Sequence, residues 1–358
     1  MTLKTKYYLR PTGFVNQELG RTFCKKSEAI NFFGNYYLYI ELISKVGKKV
    51  SRNLLKTKDF LKRFEKNKEV FSLFSELQKK RKTILNNKKF FKNDKKNLIF
   101  SILNITPDSF SDSGENNDVQ LNCKKSLKMI DDGADFIDVG GESTRPGAIK
   151  VDPTDEILRI LPTLQSLDHR KINISLDTRN SETMELGIFS GVKVINDVSA
   201  LTNDQKSINI IKKYNIPVVL MHMPGNPTTM MKKNKYFDVT LDVYDYLEER
   251  IKFCESKGID RKNIIIDPGV GFGKNLNDNI KLLKQLSIFH TLGCPIMLGI
   301  SRKRFISAIS KDSQPKDRLG GTISTTIHAM MNGIQIHRVH DVKEARQAID
   351  VFEKLNEK

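Results

Sequence analysis

Leu-Ile-Phe-Ser-Ile-Leu-Asn-Ile-Thr-Pro-Asp (98–108) opens the part of the chain whose pattern decides the fold. Residues 98–105 are apolar almost throughout, then give way to Thr106 and Asp108. A strand buried on both faces reads as a continuous hydrophobic run, whereas a half-exposed strand alternates. The same device recurs along the chain: 136–139 leads into Glu142, 172–176 into Asp177, and 192–195 into Asn196 and Asp197. Residues 218–221 lead into His222, 264–266 into Asp267, 296–300 into Ser301 and Lys303, and 334–339, carrying Arg338, into His340. Eight such runs, each with a polar exit, predict a parallel (β/α)8 TIM barrel with one active face at the C-terminal ends of its strands.

Amphipathic stretches separate the runs and predict helices over 121–130, 156–167, 181–189, 204–214, 241–254, 277–289, 318–331 and 342–355. Asp155, Asn180, Asn203 and Asn277 are N-cap types near four of the starts. Pro217 and Pro295 stand where strands begin, a place that tolerates proline. An open doubly wound sheet would need a glycine-rich phosphate loop after its first strand, and residues 106–112 contain no glycine.

A barrel of this kind takes about 250 residues, so the catalytic domain is placed at 97–358 and an appendage with its linker at 1–96. Charge divides at the same point. Of the net +18, residues 1–96 carry 25 Lys and Arg against 8 Asp and Glu, while the remainder carries 35 against 34. Aromatic and β-branched residues in 6–15 and 35–43 read as strands; Leu54, Leu55, Phe60, Leu61, Phe64, Phe71, Phe74 and Leu77 fall near helical spacing. The front is therefore read as a small basic α/β extension, then a basic helix and linker ending near Lys96. Its lysine runs at 79–82 and 88–96 suit a solvated linker. No stacking aromatics alternate with the charges in 79–89, so nucleic acid is not favoured as a partner.

Cys24, Cys123, Cys254 and Cys294 are far apart and form no CxxC. That pattern lacks metal and redox motifs and fits reduced thiols in a cytoplasmic protein. No apolar stretch approaches the roughly 20 residues needed to cross a bilayer, and residues 1–20 have no signal-peptide core.

The strand exits carry the chemistry. An Asn104 oxygen at a strand tip suits Mg²⁺, which takes one or two protein ligands when it bridges phosphates; an Asx turn is the plain alternative. Gly140–Gly141 allow a sharp exit, and Arg145 has the fork to clamp an anion. Asp177, Asn196 and Asp267 aimed into one cup match the donor and acceptor edges of a flat heterocycle. Each alone is as well explained as a helix cap or ion-pair partner. The glycine-rich stretch 267–274 lacks Gly-Lys-Ser/Thr and does not imply a nucleoside triphosphate. Lys303, Arg338 and His340 follow strands 7 and 8, where barrels hold phosphate.

Together these motifs resemble dihydropteroate synthase, which joins a dihydropterin methyl diphosphate to p-aminobenzoate in folate biosynthesis. The resemblance spans about 98–352. It rests on 103–112, Gly-Gly-Glu-Ser-Thr-Arg-Pro-Gly (140–147), Ser-Leu-Asp-Thr (175–178), Ile-Asn-Asp-Val-Ser (195–199) and Met-His-Met (221–223). It continues in Asp-Pro-Gly-Val-Gly-Phe-Gly-Lys (267–274), Gly-Ile-Ser-Arg-Lys (299–303) and Arg-Val-His-Asp-Val (338–342). The opening Tyr-Tyr-Leu-Arg-Pro (7–11) also looks like the appendage of some bacterial members.

The resemblance implies that Asp177, Asn196, Asp267 and Lys303 bind the pterin ring, and that Arg338 and His340 hold the diphosphate. It implies Mg²⁺ on Asn104, and a p-aminobenzoate pocket from Phe110, Thr144, Arg145, Pro146 and Ser301. Asp112 would stabilise the developing positive charge, with Arg145, Lys303 and Arg338 sharing the catalytic work. A homodimer is also implied, as is sulfonamide binding, where Arg304 stands in place of a commoner smaller residue. A pterin-dependent methyltransferase could share Asp177, Asn196 and Asp267, but it has no need of the Ser-Arg-Lys and Arg-Val-His anion site. An RNA- or membrane-binding role for the front segment is the alternative from another class.

Overall fold

The computed structural model describes residues 4–32, 34–79, 84, 97–105, 115–144, 147–231, 235–311 and 314–357. Eight strands form one parallel sheet: β5 (Leu98–Asn104), β6 (Phe136–Gly140), β7 (Ile174–Asp177), β8 (Val194–Asp197), β9 (Val218–Met221), β10 (Ile264–Asp267), β11 (Met297–Gly299) and β12 (Ile336–Val339). Their order is β10-β9-β8-β7-β6-β5-β12-β11, and a parallel bridge from Ile266 to Ile296 joins the two ends. The sheet is thus a closed eight-stranded barrel, as the run-and-exit pattern predicts.

Strand parity sorts the side chains. Leu98, Phe100, Phe136, Val194, Val219, Ile265, Met297 and Ile336 form one buried cluster inside the barrel, joined by Ile84 from the linker. Phe100 and Phe136 stack there with ring centroids 4.5 Å apart. Truncating either to Ala would cost about 3–5 kcal/mol. The alternate residues face outward into the larger core shared with the helices. On four strands the same face turns polar two positions further on, at the mouth: Phe136 is followed by Asp138, Val194 by Asn196, Ile265 by Asp267 and Ile336 by Arg338.

The surrounding helices are α4 (Glu115–Asp131), α5 (Pro153–His169), α6 (Ser181–Phe189), α7 (Ser207–Tyr214), α8 (Val239–Ser256), α9 (Leu276–Lys284), α10 (Arg304–Ser310), α11 (Leu319–Met331) and α12 (Val342–Asn356). Helix boundaries depart from the sequence reading where side chains found better partners. Asp152, not Asp155, caps α5, and Asn275, not Asn277, caps α9 through a capping box with Asp278. Asn180 precedes α6, but its amide donates to Glu156 at 2.8 Å instead of capping. Asn203 donates to the Arg179 carbonyl at 3.2 Å, and α7 starts only at Ser207. The stretch expected as one helix over 277–289 breaks after α9 into a 3₁₀ segment, Leu286–Leu292.

The front segment forms an antiparallel sheet from β1 (Lys6–Val15), β2 (Ile30–Phe32), β3 (Asn35–Val46) and β4 (Lys49–Lys56), with α1 (Gln17–Lys25), α2 (Thr57–Phe64) and α3 (Lys68–Gln78). Leu54 and Leu55 therefore belong to a strand paired with β3, not to the expected helix. The appendage is fastened to the barrel. Tyr8 donates to Asp245 at 2.8 Å, Arg52 pairs with Asp238 at 2.9 Å, and Tyr37 donates to the Met331 carbonyl at 2.9 Å. Part of the basic charge of the front thus neutralises an acidic face of α8. Among the described residues, no helix is long and apolar enough to cross a membrane.

Candidate active site

Inward parity brings Asp138, Asp177, Asn196, Asp267 and Arg338 to the barrel mouth from five different strands. Arg338 links them. Its Nε donates to Asp138 Oδ2 at 2.6 Å and its Nη2 to Asp177 Oδ2 at 2.8 Å. Burial lowers the Arg338 pKa, but Asp138 and Asp177 outweigh it, and the net direction is up. Asp138 also accepts from Ser175 Oγ at 2.6 Å and from Asn196 Nδ2 at 3.1 Å.

Asp177 Oδ1 is buried and has no hydrogen-bond partner among the described residues. Leaving such an oxygen unsatisfied costs about 1–3 kcal/mol, which makes it a ready acceptor for a ligand N–H. Burial, opposed by Arg338 and aided by Asp138, pushes the Asp177 carboxyl up to about 7. Burial also raises Asp267 against the pull of Lys303, and Asp267 Oδ1 accepts the Gly269 N–H at 2.7 Å.

Lys303 follows β11. Its Nζ donates to the Val270 carbonyl and lies 4.4 Å from the centre of the Phe272 ring. Burial draws it down to about 8 against Asp267. One wall of the cup is apolar, built by Val198, Met221, Met223 and Met230 with Phe272. Ser301 is buried below His340, with its Oγ 3.0 Å from His340 Nδ1 and accepting the His340 N–H at 3.2 Å. Arg302, at φ 58°, is turned away and pairs with Asp341 at 3.0 Å. Asn104 is exposed at the tip of β5, and its Oδ1 lies 3.7 Å from where a Cβ on Gly140 would sit.

Two polar exits serve the frame. Glu142 is buried in a two-pronged pair with Arg179, at 2.8 and 2.9 Å, and also accepts the Val151 N–H. Asp197 points outward and accepts the backbone N–H groups of Ser199 and Leu201. Thr144 is half-buried at the end of the described part of its loop. Phe110, Asp112, Arg145 and Pro146 lie outside the described residues.

The decisive likenesses fit this geometry. Residues 100–340 match the family of pterin binding enzymes. The chain is 41% identical over 256 residues to the dihydropteroate synthase of Escherichia coli, covering 71% of this chain and 90% of that one. The chain belongs to the dihydropteroate synthases. Solved synthases share the fold. That of Xanthomonas albilineans with 4-aminobenzoic acid superposes at a TM-score of 0.69 with 37% identity, covering 73% of this chain and 94% of that chain. The complex of the enzyme from the same organism with 7,8-dihydropteroate gives 0.67 and 34%, with the same coverage. The appendage lies outside the family match.

Of the residues expected in a synthase site, the structure gathers Asp177, Asn196, Asp267, Lys303 and Arg338 around one cup. It sets Ser301 and His340 together on the adjoining rim. Sequence reasoning missed Asp138, which sits inside the apolar run 136–139. Its signal was parity, since Phe136, Asp138 and Gly140 share one face. The Lys274–His222 contact, at 3.0 Å between two loops, was also missed.

Proposed function

We propose that this synthase divides its reaction among the strand ends as follows. The reaction breaks the C–O bond of the pterin methyl diphosphate and forms a C–N bond to p-aminobenzoate. Diphosphate departs, and the amine loses a proton as its nitrogen becomes cationic. Asp177, Asn196, Asp267 and Lys303 hold the pterin edges, with the ring against the Met221–Phe272 wall. The observation that carries this reading is Asp177 Oδ1, buried and without a hydrogen-bond partner among the described residues, beside an Arg338–Asp138–Asn196 network that is already hydrogen-bonded.

Arg338 and His340 receive the leaving diphosphate at the rim. Preorganised cations aimed at developing negative charge are a large source of rate enhancement, and Arg338 has its carboxylate partners to hold it in place beforehand. Phe110, Asp112, Thr144, Arg145, Pro146 and Ser301 take the arylamine. Among the described residues no group of three or more His, Cys, Asp or Glu forms a metal cage. A lone exposed Asn104 oxygen instead fits Mg²⁺, whose other ligands would be phosphate oxygens and water. Bound there, the ion would neutralise charge on the diphosphate. A homodimer and a cytoplasmic location complete the reading. The latter is supported by four free cysteines, three of them buried.

The test is a two-substrate assay with and without Mg²⁺. Dihydropteroate formation that depends on both substrates is expected. Folded protein that makes none would overturn the reading.

A further inference from the structure

The loop after β10 is built around a single buried ammonium. Lys274 is 3% exposed. Its Nζ lies 3.0 Å from His222 Nδ1 and donates to the Gly269 carbonyl at 2.8 Å and the Phe272 carbonyl at 3.1 Å. An ammonium has three donors and no acceptor, so all three are used. Two of the three acceptors belong to the glycine loop, and the third ties that loop to the exit of β9.

What this ammonium holds in place faces the cup. Gly269 donates to Asp267, the Val270 carbonyl accepts from Lys303, and the Phe272 ring lies against Lys303 and the methionine wall. Asn279 closes the loop from behind, accepting the Gly271 N–H at 2.7 Å and donating to the Lys274 carbonyl at 3.1 Å. Among the described residues Lys274 hydrogen-bonds to none of the cup's polar side chains, although its charge acts on Asp267 through space.

We propose that Lys274 is a positioning residue of the pterin site, setting Asp267, Phe272 and Lys303 by anchoring the 267–274 loop to His222. The proposal deepens the assignment of the pterin to this cup and rests on it. Burying an ammonium is costly unless it is fully hydrogen-bonded, and here that arrangement falls on the loop carrying the recognition groups. Burial draws the Lys274 pKa down to about 7, with Asp267 and Asp278 opposing and Lys303 assisting. The neighbouring His222 is held well below its usual range, chiefly by burial and then by Lys274. His222 is therefore neutral and offers Nδ1 as an acceptor.

The experiment compares KM for the pterin diphosphate and for p-aminobenzoate in wild type, Lys274→Met, His222→Leu and His222→Gln, with melting temperatures alongside. Lys274→Met is expected to raise the pterin KM at least about tenfold, the change of a lost charged hydrogen-bond set, while the p-aminobenzoate KM stays within about twofold. His222→Leu should move the pterin KM the same way by less. His222→Gln, whose amide oxygen restores an acceptor, should return it to near wild type. An unchanged pterin KM in folded Lys274→Met overturns the proposal, as does an equal rise in both KM values. If Lys274→Met does not fold, His222→Leu decides: a selective rise supports the anchor and no rise rejects it. Wild type that makes no dihydropteroate would instead refute the pterin assignment itself.

Discussion

Arg338 reaches across the barrel mouth to Asp177, Nη2 to Oδ2 at 2.8 Å, so the cation assigned to the diphosphate and a carboxylate assigned to the pterin are one ion pair. In the proposed division of roles, the two substrate halves meet at this shared electrostatic element. The pair orients both groups before either half of the substrate binds.

Arg338→Ala is expected to act twice. Losing one preorganised donor at a site of charge development lowers the rate by about 10²–10³. It also leaves the buried Asp138 and Asp177 without their cation, and breaking such a pair costs about 3–5 kcal/mol of stability. Steady-state kinetics and urea unfolding on the same preparation check both. A rate within a fewfold of wild type would remove Arg338 from the leaving-group site.

Asp177 makes stability depend on pH in an unusual sense. Its carboxyl keeps a proton up to about 7 in the folded chain, but only to about 3.9 in the unfolded one. Between those values the folded state binds the extra proton, so raising the pH weakens the fold. Wild type should lose stability between about pH 5 and about pH 7 more steeply than Asp177→Asn, which cannot titrate there. Urea unfolding at a series of pH values gives the two slopes, and parallel slopes would contradict the raised carboxyl.

Asn104→Ala should raise the Mg²⁺ concentration giving half-maximal turnover by about 10–100-fold, the scale seen when metal-supporting groups are lost. Binding of a pterin without diphosphate, followed by calorimetry, should stay within about twofold, because such a ligand has no phosphate for the ion to bridge. An unaltered Mg²⁺ requirement would place the ion elsewhere.

The barrel was legible because strands buried on both faces leave long apolar runs, and their polar exits marked the cup. Legibility failed where a contact depends on the assembled fold. Asp138 reads as an interruption of its run until inward parity pairs it with Arg338. Lys274 and His222 stand 52 positions apart and meet only when β9 and β10 lie side by side. Leu54 and Leu55 kept helical spacing with Phe60 and Leu61, yet pairing with β3 drew them into a strand. Glu142 and Asp197 stand at polar exits yet brace the frame, because a polar exit does not reveal whether its carboxylate faces ligand or frame.

Two glycines should respond in opposite directions to the same added methyl. At Gly269, φ is +69° and a Cβ would lie 2.0 Å from the His222 carbonyl oxygen, a backbone atom that cannot swing aside. The left-handed conformation alone costs about 1–2 kcal/mol for a residue with a Cβ, and the overlap forces the loop to shift. That shift breaks the Gly269 contact to Asp267 and slackens the Lys274 anchor. Gly269→Ala should therefore raise the pterin KM strongly and lower the melting temperature. Gly320 lies exposed on α11, with nothing within 4 Å of its would-be Cβ. There Ala reduces the freedom of the unfolded chain and should add about 0.4–1 kcal/mol of stability, with both KM values unchanged. Kinetics and melting curves of the two variants test the contrast, and a Gly269→Ala enzyme with wild-type pterin KM would show that the loop's backbone does not set the site.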